Sequence, residues 1–274
     1  VSSPEVARHY DRLDPFYREL WGEHLHHGLF DNGVRDPQAA AARLVSLVAE
    51  RAGVRAGARI CDVGCGYGAT AGVFAREYAA HVTGLTLSRT QVEHGRARTE
   101  DLPGVELRQG DWLENGLPDR SFDAVVAIES LAHMEDKPAF FREAYRTLRP
   151  GGRLVVCAWL SAPNPSPGQV RRLLEPICRE GRLAGMGTEA EYRRMSTAAG
   201  FQMDSVEDLT RRVRPTWSIS ARRVAWGFLS RSEYRRFLLR SREVDRVFAL
   251  TVLRIWAAYA VGAMRYGLFS ARRP

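Results

Sequence analysis

From residue 57 the chain alternates short β-branched runs with helical stretches, and this rhythm constrains its fold more than any other feature. Strands are predicted at Arg59–Val63, His81–Leu85, Val105–Gln109, Asp123–Ile128 and Arg153–Trp159. Helices are predicted between them at 69–79, 90–99 and 138–148, the last closed by the punctuation "LRPGG". Strands separated by helices of this length cannot be joined as hairpins and argue for a parallel, doubly wound α/β sheet. Upstream, "DPQAAAARLVSLVAERAGV" reads as an amphipathic helix, with Asp36 as N-cap, Pro37 in the first turn and Gly53 at the stop.

The first predicted strand runs directly into "ICDVGCGYGAT". Glycines at Gly64, Gly66 and Gly68 let backbone N–H groups approach a ligand without an intervening Cβ. The following helix points its positive end at that ligand. The spacing is G-x-G-x-G, not the G-x-G-x-x-G of dinucleotide sites, and Thr86 stands where such a site carries an acid for the ribose. Nicotinamide and flavin cofactors are therefore disfavoured. Asp111 and Trp112, adjacent at the end of the third strand, pair an acceptor for an exocyclic amine with a flat apolar cover, as an adenine requires.

These residues carry a resemblance. "CDVGCGYG" resembles motif I of class I S-adenosylmethionine-dependent methyltransferases. "VTGLTLSRTQ" is similar to the second-strand segment of the subgroup containing cyclopropane fatty-acid synthases and tocopherol methyltransferases. "QGDW", "FDAVVAIESLAHM" and "LRPGGRLVVCAW" resemble that group's third, fourth and fifth strand segments. Outside the core, "LWGEHLHHGLF", "EYRRMSTAAGF" and the terminal "YAVGAMRYGLFSARRP" are similar to the γ-tocopherol methyltransferase-like family. The resemblance implies a seven-stranded, mostly parallel Rossmann-like sheet over residues 57–274, with a helical N-terminal lid over 1–56. It also implies acceptor-binding helical insertions at about 163–197 and 211–262. S-adenosylmethionine is the implied cofactor, bound by Asp62, Gly64, Cys65, Gly66, Thr86, Gln91, Asp111, Trp112 and Ile128, with Tyr10 and His27 near its methionine end.

"ESLAHM" places Glu129 and His133 four apart, on one face if the turn is helical. The resembling families imply a base and an orienting partner here, with His133 accepting the acceptor's proton. A nearby carboxylate would favour the imidazolium and so work against that role. The cluster His24, His26 and His27 lacks accompanying cysteines or paired carboxylates, and no metal site is expected.

After Trp159 the pattern changes to the linker "SAPNPSPG", a helical insertion ending near Gly187, a helix at 188–199 and a strand at "FQMDSVEDL". Apolar spacing predicts one long helix over 231–261, bearing Phe237, Phe248, Ile255, Trp256 and Tyr259, and "GLFSARRP" predicts a final strand. Most of these aromatics must be core. Trp217, Trp256 and Tyr259 are the expected acceptor contacts, so the expected acceptor is a hydrophobic small molecule: a prenylated aromatic, indole, terpenoid or polyketide. Carbon is slightly preferred over nitrogen or oxygen as the methylated atom. A cyclase or isomerase that keeps the cofactor unreacted is the principal alternative, with C-methylation of a prenyl diphosphate as another.

Charge decides against one further class. The net +8 is concentrated C-terminally: residues 201–274 hold 15 Arg against 6 acids. The basic doublets are not interleaved with aromatics as a base-stacking surface would be, so no nucleic-acid partner is expected. No apolar run approaches the ~20 residues that span a bilayer. The four cysteines form neither a disulfide framework nor a zinc pattern, and the expected location is cytoplasmic. A homodimer is compatible with the sequence but not required by it.

Overall fold

The computed structural model describes residues 2–230 and 243–274. Helices α1 (Ser3–Trp21) and α2 (Pro37–Ala52) precede β1 (Arg59–Val63), α3 (Ala69–Tyr78), β2 (His81–Thr86), α4 (Arg89–Arg98) and β3 (Val105–Gln109). Then come β4 (Phe122–Ile128), α5 (Lys137–Thr147), β5 (Leu148–Ser161), α6 (Pro167–Gln169) and α7 (Glu175–Glu180). The chain continues through α8 (Glu189–Ala198), β6 (Gln202–Asp208), α9 (Thr210–Val213), α10 (Pro215–Ser230), α11 (Glu243–Ala260) and β7 (Met264–Arg272).

The seven strands form one sheet in the order β3-β2-β1-β4-β5-β7-β6. β1 to β5 are parallel, and β7 runs antiparallel between β5 and β6. Helices cover both faces, which is why β1 and β4 read as nearly unbroken apolar runs. One core cluster joins α2 and the C-terminal segment through Leu44, Phe74, Ile255 and Tyr266. The other joins α5 and α8 through Phe140, Phe141 and Tyr192.

Local signals act as expected in α2. Asp36 accepts from the Ala39 N–H at 2.8 Å, and Gly53 ends the helix in the left-handed region at φ 65°. β5 outruns its expected span at both ends: Leu148 pairs with Phe122 of β4, and β7 pairs with it as far as Ser161. Between α6 and α7 the helix widens into a π-turn over Val170–Leu174. Pro176, lacking an N–H, leaves no donor for a regular turn there. Of the long helix expected at 231–261, residues 231–242, including Phe237, lie outside the described residues; α11 supplies the rest.

Strand order reverses between β1 and β4. The loops leaving the C-terminal ends of these two strands diverge, and an open sheet forms its ligand crevice there.

Candidate active site

A cavity of about 900 Å³ opens at that crevice. It stands at the upper end of the ~300–1,000 Å³ usual for small-molecule sites. It is lined by Asp62, Gly64, Cys65, Gly66, Thr86, Gln91, Asp111, Trp112, Ile128, Glu129, His133, Tyr10, His27 and Trp217. Fourteen of the sixteen residues singled out from sequence therefore meet at one place, although they span more than two hundred positions.

The glycine turn forms the floor. Gly64 and Cys65 both donate their N–H to the Leu85 carbonyl, at 2.8 and 2.9 Å, tying the turn to the end of β2. Gly64 has φ 77°, and a Cβ there would stand 2.3 Å from Cβ of Ser130. Gly66 also has positive φ, 54°, but a Cβ on it would meet nothing within 4 Å. Gly64 is thus required by packing, whereas Gly66 leaves open space at the cavity. The Cys65 side chain packs inward near Gly84, and burial pushes its thiol well above the usual range.

Asp62 is only 2% exposed, and its Oδ2 has no hydrogen-bond partner. Burial pushes its carboxyl up to about 7. An unpaired buried carboxylate is costly unless a cation or donor meets it. Across the turn, Thr86 Oγ1 donates to Gln91 Oε1 at 2.6 Å, which orients the Gln91 amide so that its N–H groups are its donors. Asp111 accepts from the Leu113 N–H at 2.9 Å and from the Ser3 hydroxyl. Trp112 is buried, with its indole N–H on the Phe140 carbonyl at 3.3 Å.

α1 lies over this end of the cavity, and its side chains reach the sheet. Besides Ser3 on Asp111, Asp11 accepts from the Ser88 hydroxyl, and Asp14 accepts from Tyr67 O–H at 2.6 Å. The sequence reading missed Ser3, Asp11 and Asp14. Each is an ordinary helix residue until its partner, more than fifty positions away, is known.

Glu129 and His133 are not paired as expected, and no hydrogen bond joins them. Glu129 sits in the left-handed region, φ 62°, at the end of β4, outside any helical turn. Its Oε1 accepts from the main-chain N–H and Nδ1 of His27, at 2.8 and 2.9 Å, and from Tyr266 O–H at 2.8 Å. Its Oε2 accepts from the Trp159 indole at 2.6 Å. Burial alone would push this carboxyl up, but the His27 imidazole beside it and these donors hold it at about 2. On its far side, His27 Nε2 accepts from the Trp217 indole N–H, a donor only, and meets the Tyr259 hydroxyl at 3.1 Å.

His133 closes a single turn of 3-10 helix, Leu131–His133. Its Nδ1 donates to the Arg182 carbonyl at 3.0 Å, which assigns Nε2 as the acceptor, and Tyr10 O–H stands 2.9 Å from Nε2. Burial keeps its pKa below the usual imidazole value. The Glu129 carboxylate still favours the imidazolium, as anticipated, but burial of the His133 ring outweighs it.

Two expected acceptor contacts fail to line the cavity. Trp256 is 45% exposed on the outer side of α11, and Tyr259 stands behind His27. The inner face of α11 instead presents Thr251, Val252 and Ile255. Leu25, Ile177 and Leu183 add apolar wall. Of the chain's seven histidines, His9, His24, His26, His27 and His133 line the cavity. Burial pushes His9 down to about 4 and His24 to about 3, and lowers His26 as well. Such imidazoles are uncharged at neutral pH. Among the described residues no cluster of three or more His, Cys, Asp or Glu is arranged to hold a metal ion.

A glycine turn, an unpaired acid and an acid–tryptophan step at the switch point of a doubly wound sheet define an adenosine-cofactor site. A methyltransferase-domain family model matches residues 61–156. The 27-O-demethylrifamycin SV methyltransferase of Amycolatopsis mediterranei is 34% identical, covering 98% of this chain and 97% of that protein. Among solved structures, the 4+2 cyclase SpnF superposes with a TM-score of 0.85 at 30% identity, covering 100% of this chain and 97% of its own. The mycolic acid cyclopropane synthase CmaA1, solved with S-adenosylhomocysteine, gives 0.88 at 21% identity, covering 100% and 99%. The chain belongs to the class I S-adenosylmethionine-dependent methyltransferases. It is an enzyme of that class, with S-adenosylmethionine as cofactor.

Proposed function

We propose that this enzyme methylates a hydrophobic small molecule held beside the cofactor, between α1, α7, α10 and α11. The supporting observation is the continuity of one cavity from the glycine turn to the apolar wall of Trp217, Val252 and Ile255. S-adenosylmethionine, when bound, supplies an electrophilic methyl group on a sulfonium. The chain's own residues then hold and shield it. Asp62, with its unpaired oxygen, fits the methionine ammonium, and the Gln91 amide fits the ribose hydroxyls. Asp111 and Trp112 hold the adenine, and α1 closes over it as a lid. The uncharged imidazoles around the acceptor end keep positive charge away from a cationic cofactor.

His133 acts as base through Tyr10. As the acceptor loses its proton to the Tyr10 oxygen, the Tyr10 proton passes to Nε2 of His133, whose Nδ1–H stays on the Arg182 carbonyl. Glu129 is a positioning residue: it fixes His27 and thereby the acceptor wall. This pair serves a hydroxyl acceptor as directly as a carbon acid, so the geometry lends no weight to carbon over oxygen. The A. mediterranei relative is itself named for an O-demethyl substrate.

A polyketide-like or prenylated aromatic bearing an acidic hydroxyl is the acceptor class that fits. Incubation with methyl-labelled cofactor and such acceptors tests this: label appears in an organic-soluble product with release of S-adenosylhomocysteine. Likeness to the 4+2 cyclase SpnF supports a second reading, in which the same cavity folds a polyene and the cofactor is retained unreacted.

A further inference from the structure

We propose that the outer face of α11, with the neighbouring arginines, docks the enzyme on an anionic lipid surface. α11 is apolar on two sides. Its inner side, Val252, Ile255, Ala258 and Tyr259, is buried against the sheet and cavity. Its outer side carries Leu250, Leu253 and Trp256 at three-residue steps, each more than two-fifths exposed, with Val261 just beyond the helix end. Trp226 on α10, which packs against α11, is 70% exposed. A surface helix of a globular protein ordinarily turns charge outward, and a helix apolar all round is built to be covered.

Charge selects the occupant. Arg222 and Arg223 stand about one helical turn before Trp226 on α10 and are exposed, as is Arg265 after the end of α11. A second copy of this chain would bring the same positive charge against itself. An anionic bilayer attracts the arginines while its interface accepts Trp and Leu, the composition of an interfacial helix. The placement also suits access. The helix that offers Leu253 and Trp256 outward lines the cavity inward with Thr251, Val252 and Ile255. Among the described residues no helix is long and apolar enough to cross a membrane, so the attachment is peripheral.

Co-sedimentation with sucrose-loaded vesicles tests this without turnover, using phosphatidylcholine alone and mixed equally with phosphatidylglycerol. Binding to the anionic vesicles is expected to be at least tenfold stronger than to the neutral ones and to weaken in high salt. It should fall at least tenfold in Leu250→Glu/Leu253→Glu and in Arg222→Ser/Arg223→Ser, while both variants keep wild-type affinity for S-adenosylmethionine. The second pair lies on exposed positions, which guards against misfolding of the first. Equal sedimentation with both vesicle types, or none with either, overturns the proposal. So does light scattering that shows a dimer dissociated by Leu250→Glu/Leu253→Glu.

Discussion

The Tyr10 hydroxyl and Nε2 of His133 stand 2.9 Å apart, joining the N-terminal helix to the loop after β4 across 123 positions of sequence. In the proposed relay the Tyr10 phenol takes the acceptor's proton and His133 takes the phenol's. His133→Gln is expected to lower kcat about 100-fold and Tyr10→Phe about tenfold, within the range for general-base groups. Cofactor affinity, measured by calorimetry, should change less in His133→Gln than in Tyr10→Phe. Wild-type kcat should decline on an acid limb below the usual imidazole pKa, because burial lowers His133. The limb should vanish in His133→Gln; a merely structural histidine would leave it in place.

Asp62 sets a second pH dependence, in which stability of the cofactor-free fold and affinity for the cofactor run in opposite directions. Its carboxyl is raised from 3.8 to about 7 by burial. A raised carboxyl stabilises the cofactor-free fold below 3.8, and that stability is lost as pH rises through about 7. Asp62→Asn should therefore raise the melting temperature of the cofactor-free protein at pH 8, by the equivalent of about 1–2 kcal/mol. The same variant should bind S-adenosylmethionine at least tenfold more weakly. Wild-type affinity should increase from pH 6 to pH 8 as the carboxyl ionises, read by titration calorimetry.

The two glycines separate folding from binding. Gly64→Ala forces a methyl group to 2.3 Å from Ser130 Cβ at a positive φ and should cost about 2–4 kcal/mol in denaturant unfolding. Gly66→Ala meets nothing within 4 Å and carries only the left-handed backbone cost, about 1–2 kcal/mol. Its larger effect should be on cofactor affinity, because the methyl occupies space beside the ligand.

Much of the sheet was legible because β-branched runs and glycine-proline punctuation are local signals. Residues 59–63 and 105–109 could be bounded without tertiary knowledge, whereas β5 was underestimated because its ends are set by pairing with Phe122 of β4 and with Met264 of β7, both distant in sequence. The lining of the cofactor end was legible because its residues stand at strand ends in fixed order. The Glu129–His133 pairing was not. Spacing of four suggested one helical face, but Glu129 adopts φ 62° and finds its partners at residues 27, 159 and 266. Trp256 misled for a different reason: α11 is apolar on both sides, so periodicity could not say which side faced the cavity.

Glu129 also predicts an acid transition. Its carboxyl is lowered from 4.5 to about 2, so the stability it contributes is present above 4.5 and is lost as pH falls through about 2. Glu129→Gln should cost about 2–4 kcal/mol at pH 7, since four donors lose their charged acceptor. The penalty should shrink as pH falls from 4.5 towards 2, followed by circular dichroism during urea unfolding.

Turnover with methyl-labelled S-adenosylmethionine and a hydrophobic hydroxyl-bearing acceptor bears most directly on the central claim. Methyl transfer within the cavity predicts one S-adenosylhomocysteine released for each labelled product formed. Conversion of the acceptor with no S-adenosylhomocysteine and no label in the product would contradict it.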